Sequence, residues 1–278
     1  MKLGKTIRLL AVFALAALCA VCLLCASASA DVDNADRRTS GDSETEVKGM
    51  PEEDYHGKTV ILHSNDVHGE IMGYAYIAAL RTEFENRGAD VILADAGDYS
   101  QGTVYVSSSK GAAAIEMMNA VKYDVATLGN HEFDFGYEQL MSNLSKAEFQ
   151  ALCADVTVDE TGEPILPPST IITTPGGLKI GFIGLETPET VTKVNPGLIN
   201  MITFATFDDL YTSAQTAVDS IREDADLVIA LCHLGVDSES KANGYRSVDL
   251  LGKVTGIDFV IDGHSHTVMT EGENGEPV

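Results

Sequence analysis

The stretch DVATLGNHEFDFG, residues 124–136, joins a short apolar run to a dense group of polar side chains. Residues 124–128 have the composition of a buried strand. Residues 130–134 carry an amide, an imidazole and two carboxylates, which are costly to desolvate without partners. In open α/β sheets the carboxyl ends of the strands line one edge, and ligand sites form there. The stretch therefore predicts a core strand that ends at a functional site.

Four further apolar runs end in polar clusters of the same kind. The five clusters are HSNDVHGE (63–70), DAGDYSQG (95–102), GNHEFDFG (129–136), CHLGVD (232–237) and DGHSHT (262–267). Because strand ends share an edge, we expect the clusters to converge on one site. Imidazoles combined with carboxylates suit Zn²⁺, Mn²⁺, Fe or Co²⁺ better than Ca²⁺ or Mg²⁺. The candidate residues are Asp66, His68, Asp98, Asn130, His131, His233, His264 and His266.

Strand and helix patterns alternate along most of the chain. Short apolar runs predict strands at 59–62, 90–94, 124–128, 178–185, 226–232 and 257–261. Helix-like patterns lie at 74–86, 112–121, 137–147 and 207–222. Residues 156–170, which contain Gly162 and three prolines, predict a surface hairpin or loop. The alternation predicts a layered α/β domain.

The N-terminal residues have a different character. Three basic residues precede the apolar stretch 9–25, and Ala28-Ser-Ala30 supplies the small side chains that a signal peptidase reads. We interpret residues 1–30 as a secretory signal peptide, with an uncleaved membrane anchor as the alternative. Residues 31–57 carry nine acidic side chains and almost no apolar ones, which predicts a flexible acidic linker. Residues 58–278 then form the functional domain, in a protein that is secreted, periplasmic or held at the cell surface through its N-terminus.

The charge balance limits the partners. The chain has 18 Lys and Arg against 42 Asp and Glu, a formal net charge of −24. Nucleic acid is therefore not an expected partner, because a phosphate backbone needs a basic surface to dock on. Only Cys153 and Cys232 lie beyond the predicted signal peptide. We expect two buried free thiols, and a disulfide between them is the alternative in an oxidising compartment.

The motifs LHSNDVHG, DAGDYSQG, GNHEFDFG, HLG and GHSHT, in this order, resemble the five signature blocks of the calcineurin-like metallophosphoesterases. They are most similar to the secreted 5′-nucleotidase group, which includes UDP-sugar hydrolases and 2′,3′-cyclic-nucleotide phosphodiesterases. The resemblance covers residue 59 to the end and implies a layered α/β/β/α metallophosphoesterase fold. Since further strands and a C-terminal nucleotide-binding domain normally follow the last block, it also implies a fold without its last strands and a chain without that second domain.

The resemblance implies a centre with two divalent metal ions that share the Asp98 carboxylate. One ion would be held by Asp66, His68, Asp98 and His266, and the other by Asp98, Asn130, His233 and His264. Two such ions lower the pKa of a shared water and clamp the attacking and leaving oxygens of a phosphoryl group. Nucleotidases of this group often carry Gln at the position of His266, so the metal preference stays open between Zn, Mn, Co and Fe.

The same resemblance makes His131 and Asp134 a catalytic dyad. A carboxylate three residues after a histidine can fold back onto a ring nitrogen and fix its tautomer. His131 would then stabilise the transition state or protonate the leaving oxygen, while Asp134 orients it. The alternative for Asp134 is an ordinary helix N-cap. Glu132 is expected to be either exposed or behind a metal ligand.

The implied activity is a secreted phosphohydrolase, a monomer, that releases phosphate from nucleoside 5′-monophosphates or related small phosphate esters by attack of a metal-bridging hydroxide. Two alternatives use the same chemistry: hydrolysis of a UDP-sugar pyrophosphate link and hydrolysis of a 2′,3′-cyclic nucleotide. A third alternative is a truncated fragment that binds metal without turnover.

Overall fold

The protein is described by a computed structural model that covers residues 53–269. The predicted signal peptide lies outside the described residues, as does the predicted linker up to residue 52. The strands are β1 (Thr59–Ser64), β2 (Asp90–Asp95), β3 (Val125–Thr127), β4 (Gln150–Leu152), β5 (Val156–Val158), β6 (Ser169–Thr173), β7 (Lys179–Leu185), β8 (Ile202–Phe204), β9 (Leu227–Cys232) and β10 (Phe259–Ile261). The helices are α1 (Ile71–Asn86), α2 (Val104–Ser108), α3 (Ala112–Val121), α4 (Tyr137–Leu144), α5 (Thr190–Lys193), α6 (Asp208–Ile221), α7 (Ser238–Asn243) and α8 (Ser247–Leu250). Two 3₁₀ turns cover Asn130–Phe133 and Pro196–Leu198.

The strands form two four-stranded sheets and a separate two-stranded sheet. The first sheet has the order β1-β2-β3-β4 and is parallel throughout. The second has the order β10-β9-β7-β6, in which β6 alone runs antiparallel to its neighbour. Strands β5 and β8 pair separately, antiparallel to each other. Parallel strands need crossover connections, and helices of the chain supply several of them.

Three apolar layers hold the domain together. Helices α1 and α3 pack on the outer face of the first sheet through residues such as Phe84 and Met118. Helix α6 covers the outer face of the second sheet through Leu210 and Val218. Between the sheets lies a third cluster, which includes Phe182 of β7. The central strands are therefore buried on both faces, and the order of layers is α/β/β/α, as the resemblance implied.

The two sheets approach each other closely at β4 and β7. Gly184 of β7 lies so near β4 that an added Cβ would be 2.5 Å from the carbonyl oxygen of Leu152. The Ala154 N–H donates a hydrogen bond to the Gly184 carbonyl at 2.8 Å, which joins the chain after β4 to the second sheet. Only glycine permits this approach without displacing backbone. The close approach brings the carboxyl ends of both sheets to one side of the molecule.

Several boundaries differ from the predictions. The pattern located β1, β2, β3, β7, β9 and β10 and the helices α1, α3, α4 and α6 within a few residues. It missed the three-residue strands β4, β5 and β8, which are too short to show periodicity. The predicted surface hairpin or loop at 156–170 contains a short antiparallel hairpin, in which Thr157 pairs with Pro164 and the Ile165 N–H donates to the Val156 carbonyl at 3.0 Å, but β6 begins within the predicted segment.

The ordered domain begins slightly before residue 58. Tyr55, which lies in the predicted linker, is fully buried, and its ring packs edge-on against Phe84 at 5.0 Å between centroids. Burial of a large aromatic side chain is favourable enough to offset the entropy lost when the residue is ordered, even in an acidic segment. Cys153 and Cys232 are both buried free thiols. Within residues 53–269, every helix is too short or too polar to cross a bilayer.

Candidate metal centre

The predicted site residues lie in five loops at the carboxyl ends of strands from both sheets. The loop after β1 carries Asp66 and His68, and the loop after β2 carries Asp98. The 3₁₀ turn after β3 contains Asn130 and His131. In the second sheet, His233 directly follows β9, and the loop after β10 carries His264 and His266. The structure brings all nine predicted side chains, including Asp134, into one connected set of contacts.

One part of the set reaches the surface through His266. Asp66, His68 and His266 offer ligand atoms that all lie within 4.8 Å of one another. The Nε2 atoms of His68 and His266 are 3.4 Å apart, and His266 Nε2 lies 3.3 Å from Asp66 Oδ1. The His266 side chain is 61% exposed. We call these three residues the exposed half of the centre.

The other part is enclosed. Asp98, His233 and His264 also form a group with ligand atoms within 4.8 Å. His233 is fully buried, with Nε2 only 3.0 Å from Asp98 Oδ2. The Nδ1 atom of His264 lies 2.9 Å from Asn130 Oδ1. We call Asp98, Asn130, His233 and His264 the buried half of the centre.

The surroundings of His233 indicate that this half is built for a cation. Its Nδ1 lies 2.6 Å from the Ala96 carbonyl oxygen, which only accepts, so Nδ1 carries a proton. In the neutral ring, Nε2 then directs a lone pair at the Asp98 carboxylate, and Nε2 has no hydrogen-bond partner among the described residues. Two facing acceptors need a positive charge between them. A divalent ion fits this donor set, because imidazole and carboxylate are common ligands of transition metals.

The pKa values of the buried half point the same way. Burial lowers the pKa of His233, but the charges of Asp98 and Asp66 outweigh this effect and raise it to about 10. Burial raises the pKa of Asp98, whereas His233 and His131 lower it well below the ordinary carboxyl range. Without an ion, a proton on His233 supplies the positive charge that the carboxylate requires. Metal binding would displace that proton.

Asp98 lies between the two halves. It shares one ligand group with His233 and His264 and another with His68 and His131. Its Oδ2 is 4.0 Å from His68 Nε2, while its Oδ1 accepts the backbone N–H of His131 at 2.9 Å. Only 2% of the residue is exposed. This position is the one that a carboxylate shared by two ions would occupy.

His131 and Asp134 are in direct contact. His131 Nδ1 lies 2.7 Å from Asp134 Oδ2, and this hydrogen bond raises the pKa of His131 against the lowering effect of burial. The His131 ring is 5.3 Å from the His68 ring, measured between centroids. The N-cap interpretation of Asp134 is wrong, because α4 is capped by Gly136 and Asp134 ends the preceding 3₁₀ turn. Asp134 is therefore free to orient the imidazole.

Glu132 is buried, so the expectation of an exposed side chain is wrong and the alternative of a position behind a ligand is correct. Its carboxylate accepts the backbone N–H groups of residues 98, 99, 100 and 129 at 2.6–3.0 Å. These groups belong to the two loops that carry Asp98 and Asn130. Burial and the charge of Asp98 raise the pKa of Glu132 to about 7, while the backbone donors oppose the rise. Glu132 thus ties the loops after β2 and β3 together.

Asp262 fixes the loops of the second sheet in the way that Glu132 fixes those of the first. The sequence did not predict this role. Its Oδ1 accepts the N–H groups of Leu234 and Gly263 at 2.8 and 2.9 Å. Its Oδ2 accepts the Ser247 hydroxyl at 2.5 Å. These bonds fix the backbone next to His233 and His264. The pattern of acids at strand ends was visible in the sequence, but which of them bind backbone depends on loop conformation.

The loops are held in an uncommon backbone conformation. Five predicted ligands have positive φ angles, between 47° and 76°: Asp66, His68, Asp98, His264 and His266. Non-glycine residues adopt this region rarely and at a cost of about 1–3 kcal/mol each, usually at functional sites. Gly129 also permits close packing, since an added Cβ would lie 2.4 Å from Asp98 Oδ1. The surrounding hydrogen bonds maintain this strain.

Comparison with known proteins agrees with the site. The family model described as calcineurin-like phosphoesterase matches residues 59–268. A 5′-nucleotidase of Diplobatis ommata is 34% identical over 234 residues, which is 77% of this chain and 38% of that protein. A 2′,3′-cyclic-nucleotide 2′-phosphodiesterase/3′-nucleotidase of Yersinia enterocolitica is 30% identical and matches 75% of this chain and 36% of its own length.

A solved structure shows the same fold. The calcineurin-like phosphoesterase YfkN of Bacillus subtilis aligns with a TM-score of 0.65 and 27% identity, covering 77% of this chain and 73% of that one. The chain spans less than two fifths of the length of the two curated relatives described above. Members of the family typically bind divalent metals, and the described residues include suitable ligands. The chain belongs to the calcineurin-like phosphoesterase family, whose members hydrolyse phosphate esters.

Proposed function

We propose that the protein is an exported two-metal phosphohydrolase that releases phosphate from nucleoside 5′-monophosphates or related small phosphate esters. One observation carries the proposal: Asp98 lies between two groups of ligand atoms, with His131 in contact with the same carboxylate. A phosphoesterase with this arrangement needs no covalent intermediate on the protein. The relatives named as nucleotidases support the substrate class.

The proposed ligand sets are those that the family resemblance implied. Asp66, His68, Asp98 and His266 would hold one ion, and Asp98, Asn130, His233 and His264 would hold the other. When bound, the ions supply an activated water and positive charge for the phosphoryl oxygens. The neutral Asn130 oxygen fills a coordination position without reducing the positive charge of the site. Zn, Mn, Co and Fe all suit this mixture of nitrogen and oxygen ligands.

His131 supplies the acid of the proposed reaction. Asp134 accepts the Nδ1 proton of His131, which leaves the opposite nitrogen, Nε2, for the substrate, and one ring nitrogen of His131 lies within 4.8 Å of ligand atoms of His68 and Asp98. The raised pKa of His131 favours the protonated ring, which can donate a proton to the leaving oxygen or stabilise charge on the phosphoryl group. About one third of its side chain is exposed, so a substrate can reach it.

Export is proposed from the sequence of residues 1–30, and the same segment would serve for attachment if it is not cleaved. The acidic chain would repel an anionic substrate at long range. Charges beyond about 8 Å are largely screened at physiological salt, whereas the site acts at contact. We therefore expect small phosphate esters to bind despite the net charge.

A second candidate is hydrolysis of a 2′,3′-cyclic nucleotide, favoured by the similarity to the Yersinia enzyme. Hydrolysis of a UDP-sugar uses the same chemistry. We would measure phosphate release from AMP by the Mn²⁺-loaded full chain, and nucleotide products from 2′,3′-cyclic AMP and a UDP-sugar. The highest kcat/KM with AMP supports the proposal. A preference for the cyclic nucleotide selects the second candidate.

The control for this experiment is the Asp98→Ala variant under identical conditions. Turnover that persists in this variant would come from a contaminant. The proposed activity would be contradicted by wild-type protein that binds two ions but hydrolyses neither the three substrates nor a chromogenic phosphate ester. That result would instead support a metal-binding fragment without turnover.

A further inference from the structure

Glu189 is a buried carboxylate outside the five polar clusters, yet it contacts one of the proposed ligands. It lies in the loop after β7, just before α5, and only 4% of the residue is exposed. Its Oε2 lies 3.0 Å from His264 Nε2. A buried carboxylate is costly unless it is paired, and His264 is one of the partners that pair with Glu189.

The two ring nitrogens of His264 have different partners. Nε2 faces the Glu189 carboxylate, which only accepts, so Nε2 carries the proton and donates it. Nδ1 is then unprotonated in the neutral ring and lies 2.9 Å from Asn130 Oδ1. The Nδ1 lone pair and the Asn130 oxygen therefore converge, as two ligands of one ion do. The opposite tautomer would place an Nε2 lone pair against a carboxylate.

Glu189 is itself held in place by two helices. Its Oε1 accepts the Asn243 amide of α7 at 2.8 Å. On the other side, the Lys193 ammonium of α5 lies 3.5 Å from Oε2 and 3.3 Å from the exposed carboxylate of Glu239. Neither Asn243 nor Lys193 belongs to the proposed ligand sets. These contacts restrict the carboxylate to the position that meets His264.

We propose that Glu189 is a positioning residue that fixes His264 with its proton on Nε2 and aims Nδ1 at the ion of the buried half. The inference rests on the proposed function, because it assumes an ion held by Asp98, Asn130, His233 and His264. A carboxylate behind a histidine ligand sets the tautomer and raises the basicity of the ligand. Loss of such a partner typically costs about 10–100-fold in metal affinity or activity.

The test is a calorimetric titration of the metal-free full chain with Zn²⁺. We expect two binding events in the wild type. In Glu189→Ala the affinity of one event should fall by about 10–100-fold while the other stays unchanged. Glu189→Gln retains an accepting oxygen but no charge, so its Zn²⁺ affinity at that event should lie between those of the wild type and Glu189→Ala. Glu239→Gln is the matched control, because Glu239 contacts Lys193 but has no contact with His264, and it should bind as the wild type does.

A double-mutant cycle separates positioning from general support of the fold. If Glu189 acts through His264, Glu189→Ala should cause no further loss of affinity in a His264→Ala background. The ¹⁵N shifts of His264 in the Zn²⁺-loaded wild type should show a protonated Nε2, and Glu189→Ala should weaken or remove that signature. Melting of each metal-free variant establishes that it is folded, and Glu189→Gln serves if the alanine variant does not fold.

The possible failures are distinguishable. A wild-type chain that is folded and binds no Zn²⁺ contradicts the proposed function and the inference together. A wild-type chain that binds two ions, with folded Glu189→Ala binding both at the same affinity, overturns the inference alone. An additive loss in the double variant also overturns it, since Glu189 would then act independently of His264.

Discussion

The two halves of the candidate centre are built differently. In the buried half, three of the four residues are fixed from behind: His233 by the Ala96 carbonyl, His264 by Glu189, and the Asp98 backbone by Glu132. In the exposed half, the His266 ring contacts Asp66 and His68, and most of the His266 side chain faces solvent.

This difference has a physical consequence. A site whose ligands are held before binding loses less conformational entropy when the ion enters. We therefore expect the buried half to bind its ion more tightly than the exposed half. In the exposed half, the side chains would be ordered by the ion itself, and the site stays accessible to substrate.

The most severe break of this arrangement is Asp98→Ala, because the Asp98 carboxylate lies 3.0 Å from His233 of the buried half and 4.0 Å from His68 of the exposed half. We expect loss of both ions and a fall in kcat/KM of about 10⁴-fold or more, since metal stabilisation of the transition state is worth several kcal/mol. Metal analysis and phosphate release measure the two losses. A variant that retains one tightly bound ion would show that Asp98 is a ligand of one ion only.

The next largest effect should come from His131→Ala, which removes a group that belongs to neither half. We expect both ions to remain and kcat to fall by about 10²–10⁴-fold, the usual worth of a positioned acid–base group. Asp134→Asn should give a smaller loss in the same direction, because the ring stays while its orienting charge is removed. If His131→Ala emptied the metal centre, its role would be that of a ligand.

Asp95, the last residue of β2, predicts a pH dependence of the folding stability. Burial raises the pKa of Asp95 to about 8, although the Ser64 hydroxyl and Gly97 N–H donate to it. The folded state therefore favours the protonated acid. This contribution to stability is complete below about pH 4, the unfolded value, and is lost as the pH rises through about 8.

Asp95→Asn should remove this dependence, because the amide resembles the protonated acid. We expect the free energy of unfolding of the metal-free wild type to fall on the order of 5 kcal/mol more than that of the variant between pH 4 and pH 9. Urea unfolding at several pH values in a chelator measures the difference. Parallel pH profiles would mean that Asp95 is ionised in the folded chain at neutral pH.

The smallest expected effect tests the comparison between the halves most closely. His266→Gln keeps a neutral side chain with an oxygen that can bind a metal, at an exposed position. We therefore expect a loss of affinity of about tenfold for one ion, near the lower end of effects at metal sites. His264→Gln, in the buried half, should cost more, because the replacement cannot pair with both Asn130 and Glu189. Titration with Mn²⁺ compares the two variants. Equal losses would remove the distinction between the halves.

The sequence was most informative where polar residues follow long apolar strands. Strand ends at β1, β2, β3, β9 and β10 placed the five clusters at one edge, because the geometry of parallel strands is regular. Short strands such as β4 carried no periodic signal, and their position depends on packing against β7. The α/β/β/α layers followed from the family resemblance rather than from periodicity.

The residues behind the ligands were harder to predict. Glu132 sits within a recognised motif, yet its four backbone bonds depend on the positive φ of Asp98 and the turn that follows β3. Glu189 lies 75 residues from His264 in the chain, so their contact arises only when the loop after β7 meets the loop after β10. Local patterns do not encode contacts of this kind.

The most direct test of the central claim is the metal content of the folded chain. Metal-free protein loaded with Mn²⁺ or Zn²⁺ and desalted should retain ions that elemental analysis counts, and titration should resolve two ions per chain with unequal affinities. We predict that His264→Gln weakens binding of the tighter ion and that His266→Gln weakens binding of the other. Folded wild-type chain that binds no ion, or one ion that both substitutions weaken equally, would contradict it.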